Sequence, residues 1–424
     1  MKMYKRFIVL SLMLAQFACQ PQTTSKSSSK KPVETDSAPV NTTPLLSEDP
    51  PAPIRYEYYF VSARSGVNYH QSPKGKVLGQ LSLNTPVKVF RHSGVFETVT
   101  EKGATGEGEW LAIEQGADTA YVLSIFLSSN YTFADLNIYT ASAFYKTDDE
   151  TRQAFVNLSE KYPWNYEDDS LTIIRKTDFG KDTIKLNSDS KELFLKKMKI
   201  SPNDTVFLYN INVDSILKFP VAKLPVIAPV NIYSQGDENI QEYNYEIGFN
   251  LGRKYTLEGE TFAYVGTHNP FQIGKVRSIL WKSMDSSTVV KVFSREFIPV
   301  DVKKKFRNAE PDDIYTSSYK EYDYFIKARR NYDNIALPSY LLVINTATNE
   351  IVFNDFFTDS ESTYLIPLQI QGDKREYGKQ WTGAIFKNKP PIIFGFMGNS
   401  FGCPSIRFLD KKEPPIYLLC DNRH

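Results

Sequence analysis

The chain has 424 residues and is close to electrically neutral, with 50 lysines and arginines against 49 aspartates and glutamates. A nucleic-acid-binding protein is expected to carry a basic face, so this balance argues against nucleic acid as a partner. The four histidines are never spaced four residues apart, as on a zinc-binding helix, so we expect neither a metal nor a cofactor.

A basic start, a short apolar run and a cysteine open the chain. The apolar segment 7–15 follows three basic residues, and Ala18 stands directly before Cys19. The run is far shorter than the roughly 20 residues of a membrane-spanning helix, which is typical of a secretory signal. The pattern resembles a bacterial lipoprotein signal, which implies that residues 1–18 are removed and that Cys19 carries lipid. A plain signal peptide cut nearby is the alternative.

Residues 19–55 predict a disordered tether. They are rich in Ser, Thr, Pro and Lys and offer almost nothing to bury, so folding cannot offset their ordering entropy. With lipid at Cys19, this segment would hold the folded part near a membrane surface. Gln20, rather than Asp, follows the cysteine, so we expect a lipid-anchored protein of the cell envelope, in the outer membrane of a Gram-negative bacterium.

Residues 56–129 show short alternating apolar runs between turn residues, as a small β-barrel requires. The runs that carry this pattern are 65–73 (SGVNYHQSP), 76–81 (KVLGQL), 85–89 (TPVKV), 109–113 (EWLAI) and 120–128 (AYVLSIFLS). They resemble the bacterial SH3 (SH3b) family, which implies an SH3-like β-barrel that binds peptidoglycan or a cell-wall peptide. This chain departs from the family pattern at His70 for Arg, at Asn84 for a turn Gly and at Ala120-Tyr121 for Gly-Trp.

Four side chains in this segment are candidates for contacting such a peptide: Tyr69, His70, Trp110 and Tyr121. Tyr69 alternates with Val67, so the two should share one face of a strand, whereas His70 should face the other way. Aromatic residues in strands are more often core than contact, which is the alternative reading of Trp110 and Tyr121.

Residues 130–424 predict a larger β-rich domain with a few helices, so the whole chain is expected to be mostly β or α+β. Two helices are predicted, over 148–161 after a capping box and over 188–199. The apolar runs 340–345 and 351–354 predict a hairpin across a polar turn. The charged stretch 303–330 is a candidate sub-boundary.

Cys403 and Cys420 are the cysteines left if Cys19 carries lipid, and in an oxidising compartment they predict a disulfide. Two buried free thiols are the alternative. The string 400–407 resembles the S-x-G-C-x-R of L,D-transpeptidases, but Arg407 is displaced by two positions and no histidine precedes the cysteine at short range. Trp381 and Arg423 are the candidates if a pocket lies near this end of the chain.

These patterns together predict a non-catalytic envelope lipoprotein whose SH3b module binds peptidoglycan or a cell-wall peptide. One alternative is a wall-acting or glycan-acting hydrolase or transpeptidase that the SH3b module targets. Another is a scaffold in which both domains bind other proteins. A pocket with a polar triad or paired carboxylates would favour the enzyme, and an extended aromatic patch would favour the scaffold.

Overall fold

The computed structural model describes residues 56–101, 104–116, 118–145, 152–164, 173–252, 255, 257, 259–284, 313–328, 339–373 and 378–423. These residues form a mostly β structure, as the sequence predicts, built from curled antiparallel sheets with one α-helix in the part described. The predicted lipidation site Cys19, the signal 1–18 and the tether 19–55 lie outside the described residues.

Seven strands form the sheet at the N-terminal end, hereafter the N-terminal sheet. They are β1 (Glu57–Val61), β2 (Val67–His70), β3 (Val77–Leu81), β4 (Pro86–Glu101), β5 (Ala104–Gln115), β6 (Asp118–Leu123) and β7 (Leu127–Ser128). Their order is β3-β2-β6-β5-β4-β1-β7. The long strand β4 has register shifts against β5 between Val89 and Arg91 and between His92 and Phe96. Bulges bend a strand and increase its twist, so the sheet curls around one apolar core.

The remaining strands and the α-helix follow in chain order. They are β8 (Ile138–Tyr145), β9 (Arg152–Asn157), β10 (Thr183–Lys185), α1 (Ser188–Lys197), β11 (Thr205–Asn210), β12 (Ser215–Pro220), β13 (Val226–Pro229), β14 (Gly248–Gly252), β15 (Thr261–Gly266), β16 (Val276–Ser278), β17 (Lys282–Ser283), β18 (Asp313–Tyr319), β19 (Tyr322–Ala328), β20 (Ser339–Asn345), β21 (Glu350–Phe357), β22 (Thr363–Leu365), β23 (Trp381–Gly383), β24 (Ile392–Phe394), β25 (Met397–Asn399), β26 (Ser405–Phe408) and β27 (Ile416–Leu419). Single 3₁₀ turns occupy Ser124–Phe126, Ser159–Lys161, Lys176–Asp178, Val221–Lys223, Ile232–Ser234 and Glu242–Asn244.

The largest sheet runs in the order β10-β13-β14-β9-β8-β27-β26-β24-β23-β16, and β11, β12 and β15 branch from it at β8. The last strand, β27, lies parallel to β8, while the other described pairs of strands are antiparallel and only the isolated bridge between Trp281 and Ile370 is also parallel in the described part. A five-stranded sheet, β17-β18-β19-β20-β21, packs beside it, and β22 pairs with β25. The described part of the candidate sub-boundary, residues 313–328, forms the hairpin of β18 and β19.

The hairpin of β20 and β21 confirms the strands predicted over 340–345 and 351–354. Strand β20 is buried on both faces, because Leu341 and Val343 enter one apolar core while Leu342 and Ile344 enter another. That double burial explains why its sequence is a continuous apolar run rather than an alternating one.

Helix α1 confirms the helix predicted near residue 188. The Asn187 side chain caps it by accepting the Ser190 backbone N–H at 2.9 Å. Phe194 and Leu195 are buried beneath it, and Lys199, with φ of 55°, lies just beyond its end.

The helix predicted over 148–161 is wrong. Residues 152–157 form β9, a 3₁₀ turn follows at Ser159–Lys161, and residues 146–151 lie outside the described part. The three consecutive residues Ala154, Phe155 and Val156 are all almost completely buried between β8 and β14. Burial on both faces of a strand gives the same apolar cluster that one face of a helix would give over so short a run.

The N-terminal sheet is tied to the rest of the chain through residues 131–133. The Asn84 amide donates to the Thr132 carbonyl oxygen and accepts the Thr132 N–H, both at 2.8 Å. Tyr131 lies between Phe60, which it meets edge to face, and Phe133, whose ring is tilted against it, at centroid distances of 5.5 and 5.0 Å. All described residues accordingly belong to one compact unit.

Candidate functional site

The outer face of the N-terminal sheet brings together three of the four predicted contact residues, namely His70, Trp110 and Tyr121. Along one row of the sheet, His70 on β2 lies opposite Tyr121 on β6, and Tyr121 lies opposite Ala112 on β5. Arg91 on β4 completes the row, and its Nη2 donates to the Tyr121 hydroxyl at 2.8 Å. The row therefore presents an imidazole, a phenol and a guanidinium on one surface, hereafter the outer-face row.

Trp110 lies beneath this row and is almost completely buried, with 4% of its surface exposed. Its ring meets His70 edge to face at a centroid distance of 4.7 Å, and its Nε1 donates to Glu97 at 2.9 Å. Trp110 therefore supports the row from below, and only its neighbours can offer a ligand much surface.

His70 has a defined hydrogen-bonding role. Its Nδ1 lies 2.8 Å from the Gly75 carbonyl oxygen, and a carbonyl can only accept, so Nδ1 carries a proton. In the neutral ring Nε2 is then an acceptor for a ligand N–H or O–H. His70 is half-buried against Trp110, on the face opposite to Tyr69 that its strand position predicts.

Tyr69 lies on the opposite face of the sheet. As its alternation with Val67 predicts, both residues pack against the apolar core inside the sheet. The Tyr69 ring passes over Gly79, where an added Cβ would lie 2.6 Å from the tyrosine hydroxyl oxygen. Gly79 therefore provides the space that this ring occupies, and Tyr69 does not join the outer-face row.

A histidine of the N-terminal sheet lies between two glutamates. His92 Nδ1 lies 2.8 Å from Glu109, and Nε2 lies 3.3 Å from Glu57. The hydrogen bond with Glu109 raises the pKa of His92. Hydrogen bonds from Tyr59 and then His92 lower the pKa of Glu57, and those from His92 and the Gly94 N–H lower the pKa of Glu109. No sequence motif points to this group, because the register shifts in β4 that place it leave no pattern in the sequence.

The predicted disulfide is present, with Cα atoms of Cys403 and Cys420 5.6 Å apart. Cys403 therefore carries no thiol, and the string 400–407 offers no cysteine nucleophile in this structure. Glu160 lies beside the disulfide and accepts the backbone N–H groups of Cys420 and Asp421 at 3.0 and 3.3 Å. Burial raises the pKa of Glu160, and these two N–H donors oppose the shift.

Arg423 is held at the end of the chain, whereas Trp381 is a core residue. The Nε and Nη2 atoms of Arg423 each donate to the Asp421 carboxylate at 2.6 Å. The guanidinium also donates to the carbonyl oxygens of Tyr243 and Tyr245. It also lies over the Trp164 ring at 4.4 Å. Trp381, by contrast, is 6% exposed inside the core of the largest sheet. The Arg423 donors are engaged within the fold and the Trp381 ring is buried, so neither residue presents an open binding surface.

Glu246 adds a second carboxyl group to this C-terminal network. Burial raises its pKa to about 7, Asp421 adds to the shift and Arg423 opposes it. Among the described residues, no group of three or more His, Cys, Asp or Glu side chains is arranged to hold a metal ion. No helix in the described part of the chain is long and apolar enough to cross a membrane.

A comparison of the chain with protein-family models, with curated proteins and with solved structures finds no match. The SH3b resemblance therefore rests on the sequence motifs alone.

Proposed function

We propose that this chain is an envelope-anchored, non-catalytic lipoprotein whose N-terminal sheet binds peptidoglycan or a cell-wall peptide. The observation that carries the proposal is the outer-face row of His70, Tyr121 and Arg91. A cell-wall peptide carries amides and carboxylates. A guanidinium pairs with carboxylate, and an aromatic ring covers the short apolar side chains between the polar groups.

The N-terminal sequence supports the anchoring part of the proposal. Lipid at Cys19 and the tether 19–55 would place the N-terminal sheet within reach of the cell wall. Replacing Cys19 by Ala should move the protein from the membrane fraction to the soluble fraction, as followed by fractionation and by the mass of the purified chain. An unlipidated wild-type chain would contradict the anchor.

Co-sedimentation with purified, insoluble peptidoglycan tests the binding part. The full chain should pellet with peptidoglycan. Tyr121→Ala or Arg91→Ala should each lower the affinity for peptidoglycan by about tenfold, as measured from the pelleted fraction over a range of peptidoglycan concentrations. That loss is the equivalent of one charge-assisted contact. Tyr364→Ala is the matched control, because that tyrosine is 52% exposed on β22, outside the N-terminal sheet.

The supernatant of the same experiment separates binding from catalysis. Released muropeptides would favour the alternative of a wall-acting hydrolase. A wild-type chain that stays in solution, or a Tyr364→Ala chain that loses binding as Tyr121→Ala does, would contradict the proposed site.

A further inference from the structure

A cleft lies between the N-terminal sheet and the larger sheets. One part of it is a cavity of about 430 Å³, lined on one side by residues 80–86 and Tyr131 and on the other by residues of β21, of β26 and of the loop after β26. A second cavity of about 890 Å³ adjoins the first and shares Gln80, Ser82 and Asp410 with it. The two cavities together are hereafter the junction cleft. Cavities of about 300–1,000 Å³ where structural units meet are common sites of small-molecule binding.

The charges in the junction cleft compensate one another. Four lysines and arginines and four aspartates and glutamates line the two cavities. Three of these eight residues are already in ion pairs, Arg407 with Asp355 and Glu413 with Lys389. The Asp355 carboxylate also accepts the Phe356 backbone N–H. A highly charged ligand of either sign would meet repulsion as well as attraction, so the lining favours a neutral ligand.

Polar groups in the lining nevertheless keep hydrogen-bonding capacity. The Gln80 side-chain amide and the Ser82 hydroxyl form no hydrogen bond with any described residue. Arg407 donates to its ion-pair partner through Nη1, so Nε and Nη2 have no acceptor within the described part of the chain. Asp410 accepts the Lys412 backbone N–H through Oδ1 and keeps its second oxygen. Donors and acceptors thus lie together, an arrangement that hydroxyl groups satisfy because each can both donate and accept.

Tyr131 adds an aromatic ring to the lining of the smaller cavity. The residue is 36% exposed, although Phe60 and Phe133 contact its ring. A pyranose sugar has C–H groups on its faces and hydroxyl groups around its edge. It can therefore lie on an aromatic ring while its edge hydrogen-bonds to neighbouring polar groups. The junction cleft offers both kinds of contact.

We propose that the junction cleft binds a neutral oligosaccharide. One sugar ring lies against Tyr131, and its hydroxyl groups pair with Gln80, Ser82 and the open nitrogens of Arg407. Further sugar units extend into the larger cavity. The residues of the outer-face row line neither cavity, so this site is separate from the proposed peptide site and does not depend on it.

Isothermal titration calorimetry on the full chain tests the proposal. The probes are three neutral trimers, of glucose, of N-acetylglucosamine and of mannose, and a trimer of galacturonic acid is their charged counterpart. At least one neutral trimer should bind with a Kd of about 1 mM or lower. The galacturonic acid trimer should bind at least about tenfold more weakly than that neutral trimer, because its carboxylates meet the acidic groups of the lining.

Two variants locate the site. Gln80→Ala should weaken binding of the neutral trimer about fivefold, the effect of one lost hydrogen bond. Ser82→Trp, whose indole would occupy part of the smaller cavity, should weaken it at least about tenfold. Gln71→Ala is the matched control, because Gln71 is an exposed glutamine in the turn after β2 and lies outside both cavities. Gln80 is itself exposed, so Gln80→Ala keeps the test valid even where Ser82→Trp fails to fold.

A long form of the same sugar identifies its source. If the chain also pellets with the insoluble polymer (cellulose, chitin or mannan), the cleft takes the interior of a long glycan. If only the trimer binds, the cleft takes a free oligosaccharide. Either result supports the proposal.

Four results would overturn the proposal: no binding of any neutral trimer, equally tight binding of the galacturonic acid trimer, equal effects of Gln80→Ala and Gln71→Ala, or loss of trimer binding in Tyr121→Ala. The last of these would place the sugar on the outer-face row. Wild-type trimer binding by Tyr121→Ala, by contrast, keeps the oligosaccharide site and the peptide site independent.

Discussion

Asn84 is a turn residue whose backbone and side chain do separate jobs. Its φ of 60° lies in the left-handed region, where Gly and Asn are the favoured residues. Asparagine occupies that conformation and also forms the two hydrogen bonds to Thr132. The choice of asparagine over glycine at this turn therefore has a physical reason, since a glycine would keep the turn and lose the two hydrogen bonds to Thr132.

We expect Asn84→Gly to lower the free energy of unfolding by about 2 kcal/mol, from two lost hydrogen bonds of about 1 kcal/mol each. Urea unfolding measures the change. Asn388→Gly is the control, because Asn388 has a similar φ of 58° and an exposed side chain. Equal effects of the two substitutions would show that the Thr132 hydrogen bonds contribute nothing.

His92 gives the N-terminal sheet a pH dependence whose sign follows from its partners. The pKa of His92 is raised above its ordinary 6.5, so its stabilising effect is complete below pH 6.5 and is lost as the pH rises through the raised value. The pKa values of Glu57 and Glu109 are lowered from 4.5, so their effect is present above pH 4.5 and is lost on acidification. The group is therefore most stabilising between these limits.

Replacing His92 by Gln should cost the most stability near pH 5.5 and progressively less toward pH 8. Half of the His92 side chain is exposed, so the effect should be modest. Urea unfolding of the two proteins across this range measures the difference. His268→Gln is the control, because that ring hydrogen-bonds the neutral hydroxyl of Thr267. A pH-independent cost of His92→Gln would contradict the ion pairs.

At the scale of the element, the residues after β27 are held in place by a disulfide and by hydrogen bonds of Arg423. The disulfide holds Cys420 to Cys403, and Arg423 holds the last described residues to the 243–245 segment. The Asp421 side chain is only 1% exposed, so its charge depends on the Arg423 guanidinium for compensation. Asp421 adopts a φ of 57°, which asparagine also tolerates.

Arg423→Met should therefore lower the free energy of unfolding by about 3 kcal/mol or more, because it leaves a buried carboxylate without its cation. Adding Asp421→Asn to that variant should restore part of the loss, since the buried Asp421 charge that lacks its cation is then removed. Arg277→Met is the control, because Arg277 is exposed and lies over Tyr319 at 5.2 Å. If the double variant is no more stable than Arg423→Met, the buried charge is not the cause.

The sequence predicts a structural feature well where a short local pattern is enough to identify it. Helix α1, the β20–β21 hairpin and the 403–420 disulfide all follow from local patterns. The sequence of strand β9 predicts a helix instead, because burial on both faces removes the alternation that identifies a strand. The partners of Arg423 are backbone carbonyls about 180 residues away, and the cavity of about 430 Å³ between Asn84 and Asp355 exists only where separate sheets meet. No local pattern encodes such contacts.

At the scale of the molecule, the N-terminal sheet and the larger sheets share a junction. A series of aromatic contacts runs through it from Phe60 to Tyr131 and Phe133, and Phe133 contacts Tyr417 on β27 at a centroid distance of 5.4 Å. The Ala134 N–H donates to the Pro415 carbonyl oxygen at 2.8 Å. Strand β27, whose end is held by the disulfide and by Arg423, is therefore also the strand that contacts the segment next to the N-terminal sheet.

This continuity predicts that residues 56–423 unfold in a single cooperative transition, although the sequence predicts two domains there. In scanning calorimetry the calorimetric and van't Hoff enthalpies of the wild-type chain should agree. Tyr131→Ala should separate the N-terminal sheet into an earlier transition, because it removes the middle ring of the aromatic series. Tyr58→Ala, at a tyrosine 67% exposed on β1, should leave one transition. Two transitions in the wild-type chain would mean that the junction is too weak to couple the sheets.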